Sequence, residues 1–502
     1  ASPGGLTSGA CDSWPNACEL QTALGLAAAG EEVWAQQGVY KPTSSTDRTI
    51  SFALKNGVAI YGGFAGAETA REQRDWGTHV TVLSGDIDNN DLTDPAGVVT
   101  DTVNITGANS YHVVTSSGVS GSAALDGFFI TAGSADGEGA FGNGGGMYTS
   151  FGGPALANIT FSGNLAIHEG GGMSNYNCSG LVLTHVVFTG NWSGFDGGGL
   201  YSKYCSTMQV TDAIFRDNIA INDGGGMKNY ASDPQITRVI FKENTARFGG
   251  GLFNGVHQLG SPSLVNVVFS GNQADEGGGM MGYYYSSPTL TNVTFSGNRS
   301  REGGSGIRNW NHSSPILTNV TFAGNSTGAE GSAIYNGDGS NPLLQNVIAW
   351  NNASGAAGPA IFNYNGYEVC TPTIRYSLVE GCNSGGVWDV ACGSDSGNNL
   401  VDNDPLFFAP ESPGAAPTTL GDYRLQDASP AINAGDNAAD LDAAGPLTAT
   451  ISTIPFDLDG NPRLVRALVD LGAYENQAFS CPVGGVVYVN KTASGAHTGA
   501  SW

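Results

Sequence analysis

The chain is poor in charged residues, and basic residues are the scarcest of them. Lys and Arg number 19 against 44 Asp and Glu in 502 residues, so the formal net charge is −25. Because like charges repel, nucleic acids and anionic membrane surfaces are unfavoured partners. No apolar run approaches the ~18 residues that a membrane-spanning helix needs, so we expect no direct insertion into a membrane. This charge balance leaves cations and uncharged surfaces as partners.

The sequence also has almost no helical periodicity and none of the common short catalytic motifs. GxSxG, HExxH and P-loop patterns do not occur in it. A glycoside hydrolase needs two or three carboxylates that converge on one groove, whereas the acidic residues here are spread along the chain. These absences weigh against an enzyme, and a polysaccharide lyase or glycoside hydrolase is the alternative.

The middle of the chain consists of a repeat of about 27 residues. Each unit has a short β-rich segment that ends in Phe, a turn that ends in Asn, and a Gly run followed by an apolar residue. Because equivalent residues recur with this constant spacing, they form columns and indicate stacked similar units rather than one globular core. The Phe column comprises Phe161, Phe188, Phe215, Phe241, Phe269, Phe295 and Phe322, and the Asn column comprises Asn164, Asn191, Asn218, Asn244, Asn272, Asn298, Asn325 and Asn352.

Three short strands and three turns use about as many residues as one unit, which predicts one coil of an all-β parallel β-helix. Each strand would then pair with its copy one coil on, about 4.8 Å away. A second set of Asn residues recurs where the inward alternation breaks, and Asn tolerates the left-handed bend that such a corner needs. Stacked Asn amides can also form hydrogen bonds along the axis. This set is Asn158, Asn266, Asn292, Asn319 and Asn346.

The two ends of the chain depart from the period. An amphipathic helix predicted over residues 18–29 would cap the N-terminal end of the solenoid, where strand edges and core are otherwise exposed. The predicted organisation is an N-terminal cap at 1–50, irregular first coils at 51–135, regular repeats at 136–364, irregular C-terminal coils at 365–480 and a terminal strand at 481–502.

Eight Cys residues indicate an oxidising, extracellular compartment. Cys178 and Cys205 lie one coil apart, so we expect them side by side and within reach of a disulfide. Cys11 and Cys18 could close a small N-terminal loop. Two more bridges are expected among the remaining four, and the sequence leaves their pairing open. These are Cys370, Cys382, Cys392 and Cys481.

Several segments carry a family resemblance. The run FALKNGVAIYGGF at 52–64 resembles the opening coils of bacterial right-handed parallel β-helix proteins of the cell surface. The central repeats are similar to the passengers of chlamydial polymorphic membrane proteins. The resemblance implies a pectin-lyase-like fold in an extracellular protein and does not imply an enzyme. Four C-terminal pieces resemble the choice-of-anchor Q domain: DPLF at 404–407, DYRL at 422–425, SPAINAG at 429–435 and DLGAYE at 470–475.

The last residues resemble the start of such a module, while residue 1 lacks the strand that would precede it. We therefore expect either one segment of a tandem protein or a C-terminal strand that completes the N-terminal cap of the next copy. Either arrangement is a head-to-tail contact that generates a filament, and an arbitrary chain boundary is the alternative. The assembly residues would be Val487, Tyr488, Val489, Asn490 and Trp502.

An acidic residue precedes most of the Gly runs. Like charges one coil apart repel unless water, Gly N–H groups or cations offset them. The column is either a line of weak Ca²⁺ sites or, as we favour, a solvated corner whose carboxylates accept hydrogen bonds from Gly amides. Its members are Glu169, Asp196, Asp223, Glu276, Glu302 and Glu330, and Phe248 interrupts it.

The best discrete metal candidate is an acidic stretch in the irregular first coils. Asp86, Asp88, Asn90 and Asp94 offer oxygen ligands of the kind that Ca²⁺ prefers. The stretch lacks the Gly and the distal Glu of an EF-hand loop, and a polar turn is the alternative. Calcium is the only cofactor that the sequence suggests.

In five coils an aromatic residue lies three positions after the apolar residue that follows the Gly run. Exposed rings in a row can stack on sugar rings, and mutual packing over a loop face is the alternative. The row comprises Tyr176, Tyr230, Tyr283, Trp310 and Tyr364.

These features favour a non-enzymatic extracellular structural protein, a stiff β-helical module that assembles head-to-tail with copies of itself into a cell-surface fibre. One alternative is an adhesin that binds glycans or other cells through the aromatic row. The other is the polysaccharide-active enzyme. The fold alone does not decide among them.

Overall fold

In the computed structural model, residues 1–255, 261–355, 358–439 and 455–478 are described. These residues wind into stacked coils, and each strand pairs in parallel with its copy in the next coil. Phe269 pairs with Phe295 and Phe295 pairs with Phe322, so the repeat seen in the sequence is the coil of the structure. The fold is an all-β parallel β-helix, which confirms the prediction.

Three parallel sheets run along the axis. Sheet I is the largest, with 18 strands among the described residues. Its strands are Glu32–Gln36, Gly38–Tyr40, Ala59–Phe64, Thr81–Ser84, Ala124–Thr131, Ala155–Ser162, Val182–Thr189, Gln209–Thr211, Ile214–Arg216, Gln235–Lys242, Ser263–Ser270, Thr289–Ser296, Ile316–Ala323, Leu343–Gln345, Ile348–Trp350, Thr373–Arg375, Leu378–Val379 and Ser394–Asp395.

Sheets II and III form the other sides of the coil. Sheet II comprises Phe52–Ala53, Val114–Ser117, Met147–Ser150, Met173–Tyr176, Leu200–Lys203, Met227–Tyr230, Leu252–Gly255, Met280–Tyr283, Ile307–Trp310, Ile334–Gly337 and Ile361–Tyr364. Sheet III comprises Ser134–Ala135, Leu165–Ala166, Trp192–Ser193, Ile219–Ala220, Gln273–Ala274, Arg299–Ser300, Ser326–Thr327 and Ala353–Ser354, and Thr245 bridges its two halves.

The remaining elements are short. Two antiparallel pairs lie near the C-terminus, Asn383–Ser384 with Val387–Trp388 and Phe407–Ala409 with Asp422–Leu425. The described residues also contain 3₁₀ turns at Trp14–Asn16, Arg71–Gln73, Thr102–Asn104, Gly139–Gly142, Val390–Cys392 and Pro413–Ala415.

The core contains a continuous stack of Phe rings. From Phe161 to Phe322 every ring is fully buried, and neighbouring ring centroids are between 4.6 and 4.9 Å apart. This spacing equals the distance between strands, so each ring meets its copies face to face. The apolar residues that follow the Gly runs, such as Met280 and Ile307, are also fully buried. The core therefore grows along the axis with the number of coils.

A ladder of buried Asn side chains runs beside the Phe stack. The Oδ1 atom of Asn272 accepts hydrogen bonds from the N–H and the Nδ2 of Asn244 at 3.2 and 2.9 Å. Its Nδ2 donates to the backbone oxygen of Phe241 and to Oδ1 of Asn298, each at 2.9 Å. The same pattern recurs from Asn164 to Asn352. Each amide is thereby satisfied by the coil on either side.

The second Asn set occupies the predicted left-handed corner. Asn158, Asn266, Asn292, Asn319 and Asn346 have φ between 51° and 56°, which confirms the prediction. Their amides form a ladder only where Asn is continuous, and Nδ2 of Asn292 donates to Oδ1 of Asn266 at 3.0 Å. His185, Asp212 and Arg238 occupy the same corner with φ of 53° or 54°. There an Arg238–Asp212 ion pair replaces the amide ladder.

The N-terminal helix is shorter than predicted and spans Leu20–Leu26. At its start, Cys18 is bonded to Cys11 and bridges the backbone of Leu6, which holds that stretch extended. At its end, the N–H of Ala28 donates to the Glu31 carboxylate at 2.8 Å instead of continuing the helix. The buried Leu20, Ala23 and Leu24 pack against the first coils.

The disulfides follow the coils. Cys178–Cys205 and Cys11–Cys18 are formed, as predicted. Cys382 pairs with Cys392, which settles part of the open pairing. Cys370 is a buried free thiol among the described residues, and Cys481 lies outside them.

The C-terminal region folds back against the outside of sheet I. The N–H of Ala473 donates to Oγ1 of Thr321 at 2.9 Å, and Nδ2 of Asn292 donates to the backbone oxygen of Phe456. As a result every residue of the strand Ile316–Ala323 is buried. Parts of residues 404–439 and 455–478 therefore cover earlier coils instead of adding new ones. This leaves the outer face of sheet II uncovered by that region.

Candidate ligand-binding face

The outer face of sheet II carries most of the side chains that the sequence singles out. In each four-residue strand the first residue points into the core and the second and fourth point outward, as strand alternation requires. In the strand Met280–Tyr283, for example, Met280 is fully buried while Tyr283 is half-buried on the outside.

The predicted aromatic residues occupy one register position of sheet II. Tyr283 pairs with Trp310, Trp310 with Gly337, and Gly337 with Tyr364. Lys203 lies in the same column between Tyr176 and Tyr230. From Tyr176 to Tyr364 this aromatic row spans seven coil steps, about 34 Å. All five of the predicted rings are half-buried.

Neighbouring rings hold the aromatic row in place. The Trp310 ring lies over Gly337, where an added Cβ would meet it at 2.5 Å, and it stacks on Tyr364 with centroids 5.8 Å apart. Lys203 Nζ lies 4.9 Å from the centroid of Tyr230. The rings therefore pack on one another and still present an outer surface, so the two interpretations of the row are compatible.

The acidic column borders sheet II at the preceding corner. Glu169 bridges to Asp196, and Phe248 bridges to both Asp223 and Glu276. Glu302 departs from the column. The N–H of Gly249 donates to the backbone oxygen of Glu276. At the equivalent position one coil on, the N–H of Gly277 donates to the backbone oxygen of Gly303 and not to that of Glu302.

Gly303 therefore occupies the position of the acidic column, and Glu302 lies one residue before it. Glu302 is exposed, and Glu330 in the following coil is half-buried. The departure arises because the corner residue Gly304 is the sixth residue after Asn298, whereas Gly277 is the fifth after Asn272, and the acidic residue is the fourth after Asn in both coils.

A buried lysine offsets part of the acidic column. Lys228 Nζ lies 2.6 Å from Asp196 Oδ2 and 2.5 Å from Asp223 Oδ2, and its side chain is only 8% exposed. Burial raises the pKa of the Asp223 carboxyl, although Lys228 opposes the rise. For Glu169, burial and the neighbouring Asp196 both raise the pKa.

An arginine has the corresponding role further along the axis. Arg308 Nε lies 2.9 Å from Glu276 Oε2, with 9% of the arginine side chain exposed. Its guanidinium also lies 4.3 Å from the ring centroid of Tyr335 and 5.0 Å from that of Trp310. Burial raises the pKa of Glu276, and Arg308 opposes this rise.

Between these two ion pairs lies a cleft of about 380 Å³. It joins two members of the acidic column, Asp223 and Glu276, with two members of the aromatic row, Tyr283 and Trp310. These four residues were predicted as parts of separate columns, and the structure brings them to one place. The cleft is further lined by Asn222, Phe248, Phe253, Met281 and Arg308.

The cleft combines apolar surface with hydrogen-bonding groups. Phe253, Met281 and the rings can contact the flat faces of a ligand, while the carboxylates can accept hydrogen bonds from hydroxyl groups. Asp223 and Glu276 are two coil steps apart, about 10 Å along the axis. That separation is slightly wider than the ~6.5–9.5 Å between the carboxyls of inverting glycosidases.

Sequence reasoning did not identify the floor of this cleft. Phe253, Met281 and Arg308 share a column with Lys228, one position after the apolar residue that follows each Gly run. Because the residue type changes at every coil, the column gives no periodic signal. For Lys228 the available clue was Asp223, five positions before it, whereas the partner of Arg308 is Glu276 in the preceding coil.

The residues of the candidate calcium site serve as local hydrogen-bond acceptors. Asp86 Oδ2 lies 3.2 Å from Lys41 Nζ, and Asp88 Oδ2 accepts from the N–H of Ala108. Asp94 Oδ1 accepts from the N–H groups of Ala96 and Val98.

In the described part of the chain no three His, Cys, Asp or Glu side chains form a group that could hold a metal ion. Calcium binding at Asp86, Asp88, Asn90 and Asp94 stays a prediction. The assembly residues 487–490 and 502 lie outside the described residues.

No family model matches the chain, and no curated protein matches it. Among solved structures the chain is similar to pectate lyase Pel9A, with 11% identity, 94% of this chain and 95% of that chain covered, and a TM-score of 0.44. It is also similar to the catalytic unit of a GH87 alpha-1,3-glucanase from Streptomyces thermodiastaticus, with 12% identity, 76% and 66% covered, and a TM-score of 0.25. Both likenesses are too remote to bear on activity. The resemblances to choice-of-anchor Q domains and chlamydial passengers stay predictions.

The three disulfides fit an oxidising, extracellular environment. Of the described helices, none has the length and apolar character to cross a membrane.

Proposed function

We propose that this protein is an extracellular, rod-shaped β-helix that binds glycans on the outer face of sheet II. The observation that carries the proposal is the cleft in which Tyr283 and Trp310 stand beside Asp223 and Glu276. Planar rings and ion-paired carboxylates together provide the stacking surface and the hydroxyl acceptors that a sugar needs.

Arg308 and Lys228 keep the two carboxylates in fixed positions, which lowers the entropy lost on binding. The aromatic row extends beyond the cleft in both directions along the axis. An elongated glycan therefore has further rings to contact. This combination supports binding of a chain rather than of a single sugar.

A glycan panel followed by isothermal titration calorimetry tests the proposal. Trp310→Ala should weaken binding of the best oligosaccharide about tenfold, since the loss of one aromatic contact is worth ~1.4 kcal/mol. Phe408→Ala is the matched control, because Phe408 is an aromatic residue that is 65% exposed and lies in the C-terminal region. Equal losses in both variants, or no binding to any member of the panel, would contradict the proposal.

Cleavage is measured in the same samples. Release of new reducing ends from the bound oligosaccharide, lost in Asp223→Asn or Glu276→Gln, would assign the cleft to a hydrolase instead. Unsaturated products would indicate a lyase.

A role as a fibre subunit is the second candidate. The first strand, Glu32–Gln36, pairs on one side with Ala59–Phe64, and on the other side Gln36 donates to the backbone oxygen of Ala1 at 3.0 Å. Beside that second edge is a cavity of about 880 Å³ lined in part by Trp14 and Trp34. A strand such as residues 486–490, from another copy or repeat, would fit there by β-augmentation. Electron microscopy that shows end-to-end filaments would support this role, and single particles at high concentration would contradict it.

A further inference from the structure

Sheet III carries a groove that neither the fold nor the proposed glycan cleft explains. The groove has a volume of about 710 Å³ and runs along the axis from the coil of Ile219 to that of Ser326. Its register follows from the pairs Ile219 with Thr245, Thr245 with Gln273, and Arg299 with Ser326. Four coil steps correspond to about 19 Å.

Most residues in the two walls of this groove have long side chains, whereas the residues along its middle have small ones. In each coil the residue between the two walls is small and buried, and 7% or less of each is exposed. The residues on either side point outward and are mostly exposed. The small residues are Ala220, Ala246, Ala274, Ser300 and Thr327.

Three arginines line the groove, in a protein with only 19 basic residues. Arg247 and Arg301 are on the same wall two coils apart, about 10 Å, and Arg299 is on the opposite wall. All three side chains are exposed. Asp275 lies between the first two and pairs with Arg301 at 3.3 Å.

The charges in the groove are therefore unusual for this surface. Three arginines face one aspartate there, and Glu302 at the rim pairs with Arg301. The remainder of the chain is strongly acidic. An anion approaching the protein is thus attracted to this groove and repelled by the acidic residues over much of the remaining surface.

We propose that this groove binds an anionic polysaccharide whose charged groups are carboxylates, such as a polyuronate. Arginine forms bidentate hydrogen bonds with carboxylates, and Gln273 and Thr245 can bond to hydroxyl groups. The side chains of Ile219 and Ile221, 42% and 57% exposed, offer apolar contact to sugar faces at one end.

The spacing of the charges favours a polyuronate over a nucleic acid. Duplex DNA carries one charge per ~1.7 Å of its axis, so it would bring many phosphates against an acidic surface. The arginines of one wall are ~10 Å apart with an aspartate between them. A polyuronate carries one carboxylate per sugar, so its charge density is well below that of duplex DNA and it brings fewer anions against Asp275 and Glu302.

Fluorescence anisotropy with labelled oligogalacturonate, on the full chain, tests this proposal. Binding should be detectable for oligogalacturonate and absent for neutral dextran oligomers of similar length. The double variant Arg247→Gln/Arg299→Gln should weaken binding by about two- to thirtyfold, because it removes two exposed ion pairs that contribute ~0.2–1 kcal/mol each. Salt on the order of 1 M should abolish binding, because it screens charges beyond about 3 Å.

Arg216→Gln is the matched control, since Arg216 is an exposed arginine on sheet I. Trp310→Ala separates this site from the sheet II cleft, because it should leave oligogalacturonate binding at the groove unchanged. Three results would overturn the proposal: equal binding of neutral dextran, an equal loss in Arg216→Gln, or equal binding of single-stranded DNA. Unchanged binding in the double variant would overturn it as well.

Discussion

The buried Asn ladder makes a strong prediction about stability. Asn272→Leu preserves the shape of the side chain and removes four hydrogen bonds of 2.9 to 3.2 Å. The N–H of Asn244, which is fully buried, is then left without a hydrogen-bond acceptor. An orphaned buried donor costs about 1–3 kcal/mol, and each of the other three bonds contributes about 0.5–1.5 kcal/mol. We therefore expect a loss of about 2.5–7.5 kcal/mol in the free energy of unfolding.

The matched control is Asn352→Leu, at the end of the same ladder. Asn352 accepts the equivalent bonds from Asn325, which is buried like Asn244, but Asn352 itself is half-buried and donates to no further Asn among the described residues. Its loss should be smaller than that of Asn272→Leu, because the ladder is not interrupted and solvent reaches the substituted position. The contrast between the two variants isolates the effect of burial from that of the side chain.

Hydrogen exchange is the appropriate assay, because coils of a solenoid can open locally. In Asn272→Leu the amides of the coils from Asn244 to Asn298 should exchange faster, while the first coils keep their protection. Urea unfolding gives the total loss. Equal effects of the two substitutions, or a loss below about 1 kcal/mol for Asn272→Leu, would refute the view that the ladder stabilises the fold through its hydrogen bonds.

Three further predictions concern charges and the disulfide. Lys228→Met should destabilise the protein at neutral pH by about 3–5 kcal/mol, because it leaves two buried carboxylates unpaired, and Asp196→Asn should recover part of this loss in urea unfolding. Burial raises the pKa of Glu475 from 4.5 to about 8, so its contribution to stability should be present below pH 4.5 and lost as the pH rises through 8. A melting-temperature series from pH 5 to about 9 should show this decline, and Glu475→Gln should remove it. Replacing Cys178 and Cys205 by Ser should lower stability by about 3–4 kcal/mol, from the loop of 27 residues that the bond closes; an unchanged midpoint would contradict the loop-entropy argument.

The sequence was sufficient to predict the coil. The Phe column from Phe161 to Phe322 repeats because each ring packs against the equivalent rings of the neighbouring coils. Each coil therefore requires the same side chain at this position. The same logic identified the left-handed Asn corner and the disulfide between adjacent coils. These features depend only on the register between coils, and that register can be inferred from the spacing of equivalent residues in the sequence.

The candidate site was only partly predictable. Tyr283 and Glu276 were recognised as members of two columns, but their approach across a corner depends on side-chain direction. Lys228 and Arg308 each occur once in their column, so no period marks them. The fold of the C-terminal region over sheet I also left no periodic trace, because it is made by contacts such as Ala473 to Thr321 between distant parts of the chain.

The near-parallel Phe rings have a consequence for the shape of the surface. Successive ring centroids from Phe161 to Phe322 are 4.6 to 4.9 Å apart, which is about the axial step of one coil, so each ring lies almost directly above the last and one coil is turned little relative to the next. An outer sheet face that does not twist round the axis presents each column of side chains in the same direction along its whole length. A partner laid along it stays in contact without winding round the rod, and a longer rod of the same coils would offer a longer partner the same contacts in the same order.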